Sequence, residues 1–329
     1  MPKMDNSETS RMAAYPEPLD AIVLAGTDDN PRRMIQGQNK AFLEIGGKAL
    51  VRLVVEALLE AGTIGQIFVV GPLDRLGAVM EGISPRVTLV AQRGKMLANT
   101  WEAIRSAEEY QRKRGNPDDP MRPMLALSCD LPLISAESVD DFVARCAGED
   151  ERAGAGYSLH CGVAEEASLQ QYYPEPGKPG IRRPYVNFAT CRVRLANIYV
   201  GRPRTMSNQA FLQTGFEHRK AAKLKNVLLL AWDFLSQSGG WHAAWLTLRM
   251  QATLVAEQRG WKIYRWLKKG NCARRTERVC SQVLGGAIKI VITPYGALSL
   301  DADNEEDFRV LSQRLEEWKS VPPVEPEKA

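Results

Sequence analysis

The chain has 329 residues, 44% hydrophobic and 25% charged, a composition usual for a soluble globular protein with a core of normal size. Its net charge of +4 is too small to mark a nucleic-acid binder by itself. The charge is uneven, however: residues 201–280 hold 15 Lys/Arg against 4 Asp/Glu, a basic segment in an otherwise acidic chain that points to an anionic partner or surface. The six cysteines show no CxxC pair and no zinc-finger spacing to a histidine, so they read as free thiols of a reducing compartment. The first 18 residues lack the apolar core of a secretory signal. No apolar run reaches the ~20 residues of a membrane span. These features predict a cytoplasmic protein.

Residues 1–18 are polar and proline-containing and read as a disordered leader. DAIVLAG (20–26) is a buried strand running into a loop. KALVRLVVEALLEA (48–61) has apolar residues at helical spacing and stops at Gly62. QIFVVGP (66–72) and RVTLVAQ (86–92) are further strands. NTWEAIRSAEEYQRK (99–113) reads as a helix capped by Asn99. MLALSCDLPL (124–133) is a strand leading to Asp130, and SAESVDDFVARCA (135–147) a helix capped by Ser135. Buried strands alternating with amphipathic helices predict an α/β protein, with a Rossmann-like, mostly parallel sheet and helices on both faces. Ligands of such sheets bind beyond the strands' carboxyl ends. The loops 25–40, 92–98 and 129–134 lie there.

The rhythm defines an α/β half over 19–147 and breaks over 148–285. In that middle segment YVNFATCRVRLANIYVG (185–201) reads as two short strands, and 219–268 reads as basic helix with five of the seven tryptophans. GAIKIVITP (286–294) returns to strand, and DFRVLSQRLEEWK (307–319) is the last helix of a closing segment, 286–320. Residues 321–329 read as a disordered tail. The Trp-rich stretch 219–269 has two readings: a packed helical insertion with a solvated basic face, or a peripheral docking face for an anionic membrane. No nucleic-acid-binding module is recognisable.

Gly26 at the end of the first strand lets backbone N–H groups approach a phosphate. Arg33 and Lys40 follow and suit a triphosphate. The spacing of a Walker A loop is absent, and so is the Gly-x-Gly-x-x-Gly of dinucleotide binding.

Leu24, Ala25, Gly26, Arg33, Met34 and Lys40, with the apolar run and Gly-Gly that follow, resemble the opening of the MobA-like nucleotidyltransferases. These include the molybdenum-cofactor guanylyl- and cytidylyltransferases. Thr27 stands where a second glycine is usual, and Ile35 replaces the glycine after Arg-Met. The resemblance implies that Gln92 and Gly94 read the base, that Leu24 to Gly26 line the nucleotide, and that Asp130 in LSCDLPL binds Mg²⁺. It also places Asp303, in LSLDADNEEDF with Asp301 two residues before it, as the second metal ligand. Asp303, Asn304 and Glu305 are equally candidates to cap the last helix. The implied activity moves a nucleoside monophosphate from an NTP, CTP or GTP first, to a phosphorylated acceptor, with Mg²⁺ as cofactor and Arg33, Lys40 and Asp130 as the catalytic groups. Two alternatives stand beside it. One is a nucleotide-sugar glycosyltransferase of similar fold, for which Asp301-Ala302-Asp303 supplies an Asp-x-Asp pattern. The other is a non-catalytic nucleotide-binding regulator, which the Thr27 and Ile35 departures motivate.

Overall fold

The computed structural model describes residues 13–26, 34–208 and 240–326. In chain order the main elements begin with β1 (Leu19–Leu24), β2 (Glu44–Ile45), β3 (Lys48–Ala49), α1 (Leu50–Glu60), β4 (Ile64–Gly71), α2 (Leu73–Val79) and β5 (Val87–Ala91). They continue with α3 (Met96–Lys113), β6 (Met124–Ser128), α4 (Ala136–Ala153), β7 (Leu159–Glu165), α5 (Glu166–Leu169), β8 (Val186–Asn187) and β9 (Arg192–Gly201). The last are α6 (Gly240–Gln258), α7 (Tyr264–Lys269), α8 (Ala273–Leu284), β10 (Ile288–Thr293) and α9 (Glu305–Lys319).

The main sheet has the order β10-β7-β9-β6-β1-β4-β5, with β8 paired to β9. β1 lies between parallel partners β4 and β6 and is buried along its length, which explains its unbroken apolar run. Alternation along the strands assigns the two faces. Ala21, Val23, Ile67 and Val69 meet Val51, Val54 and Val55 of α1 and Val139 and Phe142 of α4 on one side. Ile22, Phe68, Val70 and Val90 meet Ala103, Ile104 and Ala107 of α3 on the other. The fold is thus α/β with helices on both faces of a mixed, mostly parallel sheet.

Every antiparallel pairing in that sheet involves β9, which runs against β6, β7 and β8. The carboxyl ends of β1, β4, β5, β6, β7 and β10 therefore share one edge with the amino end of β9. The expected short strands over 185–201 are β8 and a ten-residue β9 that carries a bulge opposite Gly162. Asn197 sits at that bulge with φ 48°.

Two local readings need correction. α3 starts at Met96, three residues before Asn99, and Lys95 is its N-cap residue without a side-chain cap. Asn99 is a buried residue inside the first turn. At the last helix the cap is Asn304, whose side chain accepts from the Asp307 amide, and Asp303 is left free of that duty. Ser135 caps α4 as expected, in a reciprocal pair with Ser138.

Asp150, in α4, ties both halves together. It accepts from Tyr15 Oη at 3.0 Å, from the Tyr157 amide at 2.8 Å and from Arg202 at 2.7 Å. Tyr15 belongs to the stretch expected as a leader, and Glu325 of the expected tail pairs with Arg145. Burial works against the Asp150 charge, but His160, the Tyr157 amide and Arg202 outweigh it and hold its pKa down at about 2. A depressed carboxylate pKa stabilises the fold above its unfolded value, and that contribution is lost as pH falls through the folded one. Asp150→Asn is expected to lower unfolding free energy by about 1–3 kcal/mol at neutral pH. In urea titrations the gap to the wild type should close as pH approaches 2; a gap constant with pH would contradict this origin.

Candidate functional site

Lys40 is placed by a stack of short local structures. Ile35 and Gln38 exchange backbone hydrogen bonds of 3.0 and 2.9 Å across Gln36 and Gly37. Both central residues have positive φ, 51° and 71°, the geometry of a tight hairpin turn. Asn39 then accepts from the Ala41 amide and caps the single 3-10 turn Lys40–Phe42. Ile35, one of the two residues that depart from the resembled pattern, is buried in a cluster with Leu43, Ile45 and Leu133. Its side chain has an apolar seat, so the departure leaves the turn intact.

From this turn the Lys40 ammonium reaches Asp130 at 3.3 Å and Asp303 at 2.9 Å. Asp130 is nearly buried, just past β6, and accepts a short hydrogen bond from Ser128. Its carbonyl accepts from the Ala302 amide at 3.2 Å, which docks the closing segment beside the end of β6. Asp301 is buried and pairs with Arg194 at 3.4 Å, while its carbonyl accepts from Arg183 at 3.1 Å. Arg183 also pairs with Asp307. Alternation puts Asp301 and Asp303 on one side of the extended segment, but their partners differ.

Burial disfavours the Lys40 charge, yet Asp130 and Asp303, with Asp301 behind them, prevail and hold its pKa above the ordinary lysine value. Lys40 is therefore a permanent cation at neutral pH. Burial, with repulsion from Asp130 and Asp303, pushes the Asp301 carboxyl above its usual range, against the pull of Arg194 and Lys40. Burial also drives the Cys129 thiol well up, reinforced by Asp130, so this neighbour of the carboxylates is no thiolate.

On the β1/β4/β5 side, Gly26 lies against Asn99: a Cβ at Gly26 would come within 2.4 Å of the Asn99 amide nitrogen and 3.6 Å of the Gln92 side-chain oxygen. The Asn99 amide accepts from the Arg93 N–H at 2.6 Å and donates to the Gly94 carbonyl at 3.2 Å. Gly94 has φ 106°, a conformation that favours glycine. The Gln92 backbone N–H is fixed to the Gly71 carbonyl at 3.1 Å. Gly26, Gln92 and Gly94 thus form one cradle, braced by Asn99, while Leu24 packs against the α3 cluster and Ala25 into the core on the α1 side. Arg33 lies outside the described residues.

The sequence-level site lacked Asn99, Arg183 and Arg194. Asn99 has a signal that was read otherwise, as a cap. The arginines have none, because only the reversed direction of β9 and the return of 181–185 bring them to this edge.

The donor set fits Mg²⁺: Asp130 and Asp303 offer only hard oxygen ligands, and a cationic nitrogen already lies between them. Mg²⁺ commonly takes one or two carboxylates and completes its shell with water and substrate phosphates. Among the described residues no three His, Cys, Asp or Glu side chains converge to hold an ion unaided.

A mixed α/β sheet with a glycine-lined corner at one strand end and paired carboxylates at the next is an arrangement that can hold a nucleotide. Residues 21–172 match the model of the MobA-like NTP transferase domain. A hypothetical transferase from Thermus thermophilus is similar in fold, with 19% identity and a TM-score of 0.53 over 88% of this chain and 99% of that one. Looser superpositions, each with a TM-score of 0.43 over 91% of this chain, are found with two others. One is 4-diphosphocytidyl-2C-methyl-D-erythritol synthase from Anaerococcus prevotii (11% identity, 96% of that chain). The other is a nucleotidyl transferase from Methanothermobacter thermautotrophicus (13% identity, 98% of that chain). No curated protein sequence matches the chain.

Proposed function

We propose that this NTP transferase moves a nucleoside monophosphate from an NTP, CTP or GTP first, to a phosphorylated acceptor and releases pyrophosphate. The observation that carries the reading is the Lys40 ammonium held between Asp130 and Asp303 beside the Gly26–Gln92–Gly94 cradle. In this reading residues 19–147 carry the nucleotide, 148–285 the acceptor side, and 286–320 return Asp303 to the centre. An acceptor phosphate is already ionised at neutral pH, so the reaction needs positioning and positive charge more than a base.

Each residue then has a defined task. The glycine at 26 admits the triphosphate to the backbone of the cradle, and Gln92 pairs with a base edge through its donor and acceptor. Lys40, with Arg33, neutralises the departing pyrophosphate. Asp130 and Asp303 would hold Mg²⁺, which when bound supplies charge stabilisation to the phosphoryl oxygens. Ser128 fixes the Asp130 carboxylate through its hydroxyl.

The test is pyrophosphate release from each of the four NTPs with Mg²⁺ and a panel of phosphorylated acceptors. Release that requires one NTP and one acceptor supports the reading. Release of a nucleoside diphosphate from a nucleotide sugar would instead favour glycosyl transfer, and NTP binding without any turnover a regulatory protein.

Gly26→Ala tests the cradle. The added methyl must displace the Asn99 amide and free the 93–94 loop, so NTP affinity should fall about tenfold by titration calorimetry, the loss of roughly one strong hydrogen bond. Unchanged affinity would remove Gly26 and Asn99 from the nucleotide site.

The same reading extends to a membrane contact. Trp241 and Trp245 of α6, Trp261, and Trp266 of α7 are half exposed or more, among Arg259, Lys262, Arg265, Lys268 and Lys269. Half-buried indoles with neighbouring cations suit an anionic lipid surface. No helix among the described residues is long and apolar enough to cross a membrane. Residues 219–239 of the stretch lie outside those described. The chain should co-sediment with phosphatidylglycerol vesicles, not with phosphatidylcholine vesicles, and detach as salt rises; absence from both pellets would remove the contact.

A further inference from the structure

Beyond β7 and β9 from the cradle lies a cavity of about 480 Å³. It is walled by Arg182, Arg183, Arg192, Tyr173, Tyr185 and Glu166. Three guanidinium groups thus face a single carboxylate. Arg192 spends its terminal nitrogens on Glu166 at 2.8 Å and Glu257 at 2.9 Å. Arg183 spends one of its own on the Asp301 carbonyl and Asp307. In both, the Nε–H is buried without a hydrogen-bond partner. Arg182 is exposed, stacks over the Tyr173 ring at 4.4 Å and makes no ion pair among the described residues.

The walls are braced in advance. The Tyr173 and Tyr185 hydroxyls are hydrogen-bonded to each other at 2.7 Å, and Tyr173 donates to Glu166 at 3.0 Å. Arg192 lies 4.9 Å over the Tyr185 ring. Side chains fixed by stacking lose little freedom when they grip an oxyanion, and guanidinium groups suit phosphate geometry. The size is that of a small-ligand site.

We infer that this cavity seats the phosphate group of the acceptor, gripped by Arg182, Arg183 and Arg192. The inference rests on the nucleotidyl-transfer reading and adds to it the acceptor's place. The sheet order supports it: the nucleotide cradle lies at β1 and β5, Asp130 at the end of β6, and the cavity beside β7 and β9. An in-line displacement needs its two substrates to approach the centre from opposite sides. Arg183 is the physical link, since it lines the cavity and also grips the carbonyl of Asp301, two residues from Asp303.

The experiment is binding of inorganic phosphate, of glycerol 3-phosphate and of vesicles containing phosphatidic acid to the full chain, to Arg182→Gln and to Arg192→Gln. NTP affinity is measured on each. The expected result is saturable binding of at least one phosphate probe, weakened about tenfold or more in both variants, with NTP affinity unchanged. The soluble probes and the vesicles tell a free acceptor from a lipid headgroup. Because Arg182 is exposed, its variant is expected to fold even if Arg192→Gln does not. Phosphate binding indifferent to Arg182→Gln, or absent from a chain that binds NTP, would overturn the cavity's role. Phosphate binding that needs Arg182 in a chain that binds no NTP would overturn the assignment to an acceptor and the nucleotidyl-transfer reading, and leave an anion site.

Discussion

Asp130→Ala is expected to slow pyrophosphate release about 10²–10³-fold or more while the chain stays folded. Asp130 is nearly buried, accepts from Ser128 and Lys40, and anchors Ala302 through its carbonyl. The substitution keeps that backbone bond and removes only the carboxylate. The closing segment should therefore remain docked, with Lys40 still paired to Asp303. What is lost is one of the two oxygen donors proposed for Mg²⁺ and a partner of Lys40. Steady-state kinetics over a Mg²⁺ series checks this: kcat should fall and the Mg²⁺ needed for half-activity should rise. A variant with wild-type kcat at ordinary Mg²⁺ would exclude Asp130 from the site.

Lys40→Ala separates charge balance from chemistry. Without the ammonium, the repulsion among Asp130, Asp301 and Asp303 loses its central counter-charge, and Arg194 still pairs with Asp301. Removing one member of a largely buried ion pair costs about 3 kcal/mol, discounted here because the Lys40 and Asp303 side chains are 15% and 21% exposed. Melting temperature should drop, and added Mg²⁺ should restore part of it in Lys40→Ala more than it shifts the wild type, because a cation that binds only the folded state stabilises it. Turnover should stay about 10²–10³-fold down even at saturating Mg²⁺, since in the proposed reaction Lys40 also neutralises the leaving group. Full rescue of rate by Mg²⁺ would reduce Lys40 to a structural counter-ion. A melting temperature indifferent to both the substitution and Mg²⁺ would contradict the arrangement itself.

Much of the first half was legible because buried parallel strands write themselves as apolar runs. Residues 20–24 and 66–71 could hardly be anything else, and the Ser135 cap has a local signal of its own. Lys40, Asp130 and Asp303 stand 263 positions apart at the extremes, yet the rule that ligands collect at carboxyl ends puts Lys40 and Asp130 at one edge, and the family resemblance adds Asp303. Three features resisted. Asn99 sits near a helix start, where asparagine usually caps, but the helix begins at Met96 without a side-chain cap, and the amide braces Gly26 and Gly94 instead. The direction of β9 has no sequence signature, so Arg183 and Arg194 could not be placed. The capping of α9 was ambiguous among adjacent polar residues, and only the bond from the Asp307 amide to Asn304 decides it.

The central claim is the transfer of a nucleoside monophosphate with departure of pyrophosphate, and the most direct measurement follows the label. NTP carrying isotope at the α- or the γ-phosphorus is incubated with Mg²⁺, the acceptor and the wild-type chain. The account predicts that α-label appears in the acceptor product and γ-label in pyrophosphate, in equal amounts, and that both appear about 10²–10³-fold more slowly, or slower still, with Asp130→Ala. γ-Label in the acceptor, or labelled inorganic phosphate without pyrophosphate, would contradict it.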